Sequence, residues 1–326
     1  MDKPSLQCRY HGLAGLCKDT PLPGEDYCFW HHLGVDKSGA DVCARLESRA
    51  KTGEPMEGFV LKKANLENIN LVNKSGEPFR LINVDLSRAN LKNAHLFKVD
   101  LSGSCLLKAN LSNSNLHCAN LSDCNLLGVN FKGCRLEKVI WGETVLQASM
   151  ARGHRENTEG CSNIELYEEA EEVARNIRKS CEAQGLFDIA GSFFHKEMVF
   201  RRHQLPRRSL SRGLSKGVDL VSGYGEKPGR IVLFSTAFIF LCSLFYFFSG
   251  LSSSGQPVGF DGSKTVTENI TAWLDCLYFS VVTFTTLGYG DLTPLGPSRL
   301  FAALEAFTGS FSLALFVVVF VKKMTR

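Results

Sequence analysis

The sequence predicts a multidomain membrane protein, with a coiled β-structure in its first half and two membrane-crossing helices near its C-terminal end. Three observations support this prediction: a five-residue leucine repeat, two long apolar segments around a short loop, and a cysteine–histidine cluster near the N-terminus. The 326 residues divide into four predicted parts: a Cys/His head (1–58), a repeat domain (59–148), a helical connector (149–227) and a membrane module (228–326).

The head holds four residues of types that bind metals, spaced C-x8-C-x10-C-x2-H: Cys8, Cys17, Cys28 and His31. Three thiolates and one imidazole can form a closed tetrahedral zinc site, and so short a segment buries little core without a metal. His11 and His32 are alternative fourth ligands, and unliganded cytosolic thiols are the competing interpretation. The head resembles plant zinc modules with the spacing C-x9-C-x10-C-x2-H, which implies Zn²⁺ as a cofactor.

Leucine, once replaced by phenylalanine, occupies every fifth position of the repeat domain: Leu61, Leu66, Leu71, Leu81, Leu86, Leu91, Leu96, Leu101, Leu106, Leu111, Leu116, Leu121, Leu126, Phe131 and Leu136, with Trp141 and Leu146 continuing the frame. A small residue often lies two positions earlier. A period of five fits neither a helix nor a strand, whereas a four-sided coil of twenty residues places one large and one small residue inward on each side. Residues 74–78 interrupt the leucines without changing their phase, which predicts a distorted corner or a small loop.

This repeat resembles the pentapeptide-repeat family, which implies a right-handed quadrilateral β-helix. Some members of that family mimic DNA with an acidic surface. Here residues 59–148 hold eleven Lys or Arg against seven Asp or Glu. A net positive surface is a poor mimic of the double helix, so we expect a rigid scaffold and no nucleic-acid partner. Low-complexity disorder is the competing interpretation.

The sequence of the connector predicts an α-helical hairpin between Asn163 and Arg202, with a break between its two helices at Gly185. A basic run from Arg201 to Lys216 follows the hairpin. This run has two interpretations, binding to anionic lipid and the cytoplasmic flank of a membrane span. Val218 to Tyr224 is predicted to lie along the membrane surface.

The membrane module contains two apolar segments, Ile231 to Phe248 and Leu300 to Val321. At ~1.5 Å per residue each can cross a hydrocarbon core of ~30 Å. Trp273 to Thr285, between them, is apolar but too short to span. Non-helical backbone at membrane depth is tolerated only where it is buried in protein or lines water. The order of helix, short helix, loop and helix therefore predicts a re-entrant pore loop.

The loop reads Thr285-Thr286-Leu287-Gly288-Tyr289-Gly290-Asp291. It resembles the potassium-channel pore signature Thr-Val-Gly-Tyr-Gly, with Leu287 in place of Val. The resemblance implies an ion-selectivity filter, K⁺ as the permeating ion and a homotetramer around one pore. The implied filter residues are Thr286, Leu287, Gly288, Tyr289 and Gly290. The two glycines tolerate the dihedrals that turn carbonyl oxygens inward, where they replace the water shell of K⁺.

Further predictions concern the surroundings of the loop and a tripeptide elsewhere in the chain. Thr285, Asp291 and Glu305 are expected to support the filter; Glu305 would cost roughly 2.5–3.5 kcal/mol if unpaired at mid-membrane, so we expect it to be hydrogen-bonded behind the loop. Gly309 is a gating hinge by resemblance to two-span channels, with close helix packing as the alternative. The tripeptide Gly-Tyr-Gly of the loop also occurs earlier in the chain, as Gly223-Tyr224-Gly225. This copy has no apolar helix ahead of it and is expected to be an ordinary turn.

The predicted function is a potassium-selective channel without enzymatic activity. A non-selective cation channel and a membrane-anchored scaffold with a non-conducting pore are the alternatives. Nine Lys or Arg residues lie between Lys196 and Arg230, whereas the loop from Ser249 to Arg299 holds two. The positive-inside rule then predicts a multi-pass protein of the plasma or inner cell membrane, with both termini cytoplasmic.

Overall fold

The structure is a computed structural model that describes residues 7–13, 15–39, 41–73, 75–153 and 163–325. Its chain forms two compact units, Met1–Arg212 and Gly213–Arg326. Lys74 of the predicted corner and residues 154–162 of the predicted connector lie outside the described residues.

The N-terminal unit begins with the Cys/His head. Two short antiparallel strands, β1 (His11–Gly12) and β2 (Gly15–Leu16), pair in register His11 to Leu16. Helix α1 (Asp41–Thr52) follows. Its buried side chains are Val42, Leu46 and Ala50, which repeat at helical spacing, so one face of α1 packs into the core of this unit.

The repeat domain is a four-sided parallel β-helix, as the sequence predicted. Bridges join residues 20 apart from Arg80–Asp100 to Asn120–Ile140. In the first coil the offset is 25, as in Val60–Asp85, because residues near the predicted corner form one extra five-residue step outside the coil. The inward leucines are buried. The frame ends before Leu146, which is the first residue of helix α2 (Leu146–Gly153) rather than an inward leucine of the coil.

Buried small polar residues bond the coils to one another from inside. Ser104 Oγ donates to the Leu81 carbonyl at 3.0 Å and accepts from Val84 N at 3.0 Å. Ser114 makes the equivalent pair of bonds ten residues, or two coil sides, later. Cys134 Sγ lies 2.6 Å from the Leu111 carbonyl, and burial raises the pKa of this thiol to about 12, so it remains protonated.

The head closes the N-terminal end of the coil. Inside the coil, an outward residue donates its N–H to the preceding coil, as Asn90 N does to Ala64 O at 2.9 Å. The first coil has no preceding coil to accept these bonds. Three of its outward donors are satisfied instead by the head and α1: Val60 N by Trp30 O at 2.8 Å, Asn65 N by Lys37 O at 3.2 Å, and Asn70 N by Glu47 Oε1 at 2.8 Å.

The other end of the coil is closed by the helical hairpin. Helices α3 (Asn163–Glu182) and α4 (Phe187–Gln204) confirm the predicted pair of helices. Asn176 Nδ2 donates to the orphan Val129 carbonyl at 2.7 Å, and Gln184 Oε1 accepts from Leu136 N at 2.9 Å. Trp141 packs between Phe131 and the α4 residue Phe193. The hairpin is thus a cap of the coil, which removes an exposed strand edge.

The C-terminal unit consists mainly of helices. Helix α5 (Leu210–Ser222) crosses the boundary of the two units; α6 (Pro228–Ser249), α7 (Val266–Phe284) and α8 (Ser298–Met324) follow. By length and composition α6 and α8 can each cross a membrane, and only 22% of their apolar windows is buried within the chain. Most of their apolar surface therefore needs lipid or another copy of the chain to cover it.

A small antiparallel sheet lies beside the loop that follows α7. Strand β3 (Leu251–Ser253) pairs with both β4 (Gln256–Val258) and β5 (Leu292–Pro294). The register places Leu251 opposite Val258 on one side and opposite Pro294 on the other. Because β5 starts directly after Asp291, the far end of the loop is held by backbone hydrogen bonds to the segment that follows α6.

Candidate functional site

The predicted filter loop starts where α7 ends. A capping box of Thr265 and Glu268 opens this helix, and Thr285 closes it with φ −80°. The Thr285 hydroxyl donates to the Val281 carbonyl at 2.7 Å. Helix α7, which precedes the loop, has 19 residues and is shorter than α6 and α8, the two candidate membrane-spanning helices that flank it.

The backbone of the loop alternates in conformation. Thr286, Gly288 and Gly290 have φ values of 59°, 57° and 81°, whereas Leu287 and Tyr289 between them do not have positive φ. In an extended strand successive carbonyls point to opposite sides. Alternation between left- and right-handed dihedrals instead gathers the N–H groups on one side and leaves the carbonyls on the other. The loop can therefore present a row of carbonyl oxygens to one side.

Thr286 is the residue whose conformation sequence reasoning missed. Conformational freedom was expected at the two glycines, but a β-branched residue with positive φ is a genuine outlier. Its hydroxyl donates to the Thr285 carbonyl at 2.7 Å. Backbone strain of this kind costs about 1–3 kcal/mol and is concentrated at functional sites. No residue preference in the sequence signals it, because threonine disfavours this region.

The side chains of Leu287 and Tyr289 are exposed within the single chain, at 59% and 67%. Their own chain therefore supplies little packing that would hold the loop open. Asp291 lies next to the Tyr278 hydroxyl of α7, which places a carboxylate at the far end of the loop.

Glu305 joins three helices behind the loop. It is fully buried, at 0% exposure, on α8. The Tyr246 hydroxyl of α6 donates to Glu305 Oε2 at 2.6 Å, and the Ser280 hydroxyl of α7 contacts Oε1. Ser280 Oγ is also 2.9 Å from the Ile239 carbonyl of α6. The hydrogen-bonded environment expected for Glu305 is thus present, and it connects α6, α7 and α8 through one carboxyl group.

Gly309 lies one helical turn beyond Glu305 and α8 passes it without a break. A Cβ atom at Gly309 would lie 1.9 Å from the Phe284 carbonyl oxygen at the end of α7. This glycine therefore allows the two helices to approach closely, which supports the packing alternative of the sequence analysis.

The structure brings together the four predicted metal ligands of the head. The sulfur atoms of Cys8, Cys17 and Cys28 and a ring nitrogen of His31 all lie within 4.8 Å of one another. His31 Nδ1 is 3.5 Å from Cys8 Sγ and 3.2 Å from Cys28 Sγ. Three sulfur donors and one imidazole in a mostly buried cluster fit a structural zinc site.

The orientation of His31 is fixed by its second ring nitrogen. Nε2 lies 2.9 Å from the Glu57 carbonyl, which can only accept, so Nε2 carries the proton and Nδ1 faces the thiols. Tyr10 stacks on the ring at 3.9 Å between centroids. His32 points elsewhere, with Nδ1 accepting from Gly34 N and Nε2 near Glu25.

A second layer around the cluster was not predicted. Asp19 Oδ2 lies 3.6 Å from Cys17 Sγ and 3.7 Å from Cys28 Sγ, while Arg49 of α1 donates to Asp19 Oδ1 at 2.6 Å. Burial raises the pKa of Cys28 to about 11, and burial also raises the pKa of Cys17. Buried thiols of this kind become thiolates only beside a cation, which a bound metal would supply.

Two families match separate parts of this chain. The family described as "Ion channel" matches residues 233–326, which hold most of α6, the loop and α8. The C-terminal unit contains an ion-channel domain. The family of pentapeptide repeats matches residues 80–116 and 104–140, so the coil is a pentapeptide-repeat domain. The resemblances predicted for the repeat domain and for the pore loop are confirmed, and with its two apolar helices the chain is a membrane protein.

A viral protein resembles a short part of the chain. Over 40 residues the chain is 40% identical to "Potassium channel protein kcv" of Paramecium bursaria Chlorella virus 1. The match covers 12% of this chain and 43% of the viral protein, so it spans less than half of that relative.

Two solved pentapeptide-repeat proteins also resemble part of the chain. HetL from Nostoc sp. strain PCC 7120 is 25% identical, with 25% of this chain and 46% of that chain covered and a TM-score of 0.22. Rfr23 from Cyanothece 51142 is 30% identical, with 26% and 58% covered and a TM-score of 0.17.

Proposed function

We propose that this chain is one subunit of a homotetrameric, potassium-selective channel whose filter is residues 286–290. The alternating φ angles of Thr286, Gly288 and Gly290 carry the proposal. Four such loops around one axis would surround a permeating K⁺ with rings of carbonyl oxygens. The similarity to the viral potassium channel supports the same ion.

Two exposed surfaces support assembly into a tetramer. The side chains of Leu287 and Tyr289 lack cover from their own chain, as does most of the apolar surface of α6 and α8. Neighbouring copies would cover the two side chains and keep the loop from collapsing on itself. Lipid and neighbouring copies would share the helix surfaces, since a single chain cannot enclose a pore.

The charge pattern supports cytoplasmic termini and a lipid contact at the start of the membrane unit. Helix α5 exposes three apolar side chains at a spacing of four: Leu210, Leu214 and Val218. Basic residues from Arg201 to Lys216 precede or share this helix. An apolar stripe beside cationic residues suits a helix that lies at the surface of an anionic membrane.

Zinc is the proposed cofactor of the head, held by Cys8, Cys17, Cys28 and His31. Trp30 lies beside His31, and its carbonyl accepts the N–H of Val60 in the first coil. A metal that orders this segment would therefore also hold the N-terminal cap of the pentapeptide-repeat domain. Its role would be structural, because all four coordination positions are filled by protein.

Ion flux in liposomes tests the function. Purified tetramers are reconstituted, and K⁺ and Na⁺ fluxes are measured separately in the same preparation. We expect K⁺ flux with little Na⁺ flux. Equal fluxes would favour a non-selective cation channel, and tetramers that pass neither ion would favour a membrane-anchored scaffold.

Elemental analysis tests the zinc site. A preparation never exposed to chelator should contain about one zinc per chain. Cys28→Ser should lose the metal and lower the thermal stability of the N-terminal unit, whereas Cys134→Ser, at a buried thiol of the coil, should keep it. Because protons compete for the thiolates, zinc retention should fall as the pH is lowered. Unmodified protein without zinc would contradict the assignment.

A further inference from the structure

The tripeptide Gly223-Tyr224-Gly225 terminates α5 within the C-terminal unit. Gly223, Tyr224 and Gly225 have consecutive positive φ values of 56°, 56° and 78°. Gly223 N donates to Asp219 O at 2.8 Å and Lys227 N donates to Ser222 O at 3.1 Å. The run of left-handed residues ends α5 and begins the connection to α6, with Ser222 buried at the turn.

One side of this turn is tied to α6. Arg230, in the first turn of α6, donates through Nη1 to Asp219 Oδ1 at 2.9 Å and to the Asp219 carbonyl at 2.6 Å. Two bonds from one guanidinium nitrogen hold the last turns of α5 against the start of α6. The end of α5 is therefore bonded directly to the start of α6.

The other side of the turn is tied to the end of α8. Lys322 Nζ donates to Glu226 Oε1, and both side chains are partly buried. One turn earlier on α8, Val319 is almost fully buried, and a Cβ at Gly225 would lie 3.8 Å from its Cγ2. The end of α8 thus contacts the turn through an ion pair and through a side chain that packs against a glycine.

We propose that Glu226 is a positioning residue for the pore-lining helix α8, through its ion pair with Lys322. This inference rests on the proposed channel function. If α8 lines the pore, its end must move relative to α6 whenever the pore changes width at that end. The turn is bonded to α6 by Asp219 and to α8 by Glu226, so such a movement must break or remake the Glu226–Lys322 pair in every subunit.

Open probability in single-channel recordings tests the pair. Glu226→Gln and Lys322→Gln should each shift the ratio of open to closed time in the same direction by at least about threefold. The double reversal Glu226→Lys with Lys322→Glu should return the ratio to within about twofold of the unmodified channel. Lys227→Gln is the matched control, because it removes a neighbouring cation that forms no ion pair among the described residues.

Two outcomes would overturn the inference: unchanged gating in both single variants, or a double reversal that adds their effects instead of restoring the ratio. Hydrogen exchange in lipid nanodiscs gives a readout that does not require conduction. The amides of residues 318–325 should exchange at least about threefold faster in Glu226→Gln and recover in the double reversal. Unchanged exchange would overturn the inference even in a non-conducting protein, whereas absence of K⁺ flux with faster exchange would count against the channel function alone.

Discussion

The chain contains the tripeptide Gly-Tyr-Gly twice, and the two copies adopt different backbones. In Gly223-Tyr224-Gly225 all three φ values are positive. In Gly288-Tyr289-Gly290 only the glycines have positive φ, and Thr286 extends the alternation by one step. The three left-handed residues in a row end a helix, whereas the alternation can place successive carbonyls on one side of the loop.

The surroundings decide between the two conformations. The first copy follows α5, whose 13 residues are fewer than a membrane-crossing helix needs, and its tyrosine is hydrogen-bonded to Ser215 at 2.7 Å. The second copy lies between α7 and β5, and its tyrosine is exposed in the single chain. Identical residues thus serve as a helix end in one place and as the candidate filter in the other. The tripeptide alone does not indicate a filter; the helix that precedes it does.

The largest expected difference between the two copies is the effect of a glycine-to-alanine substitution on K⁺ conduction. Gly288→Ala should abolish K⁺ conduction while the tetramer still forms, because a Cβ at this φ costs about 1–2 kcal/mol in each of four loops. Gly225→Ala, also at positive φ, should leave the preference for K⁺ over Na⁺ unchanged. Measurements of K⁺ and Na⁺ flux through both variants test this difference. Normal K⁺ flux through Gly288→Ala tetramers would contradict the proposed filter.

An intermediate effect is expected behind the second copy. Glu305→Gln keeps the size of the side chain but replaces one of the two acceptor oxygens used by Tyr246 and Ser280. A buried donor left without an acceptor costs about 1–3 kcal/mol, so the thermal stability of the tetramer should fall. Asp219→Asn at the first copy, where the backbone carbonyl still accepts from Arg230, should reduce stability less. Equal losses would mean that Glu305 has no special role behind the loop.

The smallest expected effect concerns the tyrosine hydroxyl of the first copy. Tyr224→Phe removes one hydrogen bond to Ser215, worth about 1 kcal/mol, and should leave K⁺ selectivity unchanged. Ser215→Ala should cost a similar amount, and the double variant should cost little more than either single one. Thermal unfolding of the three proteins provides the comparison. Additive losses would show that the two hydroxyls act independently.

Sequence reasoning predicted the coil well because its period directly reports which side chains face inward. Leu61 to Leu136 are inward because a four-sided coil brings every fifth residue to an equivalent position. The ends of the coil were not predictable by this route. Trp30 and Lys37 accept through backbone carbonyls, which any residue could offer, so no residue type marks these two contacts of the cap.

The surroundings of the loop were predicted only in part. Glu305 was expected to be hydrogen-bonded because an unpaired carboxyl in an apolar helix is costly, but its partners Tyr246 and Ser280 lie far away in sequence. Strands β3 to β5 have three residues each, too few to show an alternating pattern. The positive φ of Thr286 opposes the preference of its residue type, so it follows from the structure alone.

The two caps give the pentapeptide-repeat domain a defined number of coils, and with it a defined span. Each coil adds ~4.8 Å, the distance between neighbouring strands, to the length of the domain. Because both terminal coils are bonded to other elements, their edges are not available to pair with another coil end to end. Insertion or removal of twenty residues, for example one complete turn between Leu101 and Leu121, would change the span by one such step and leave all four faces in phase. The length of the domain can therefore be changed in steps of one coil without redesign of either end.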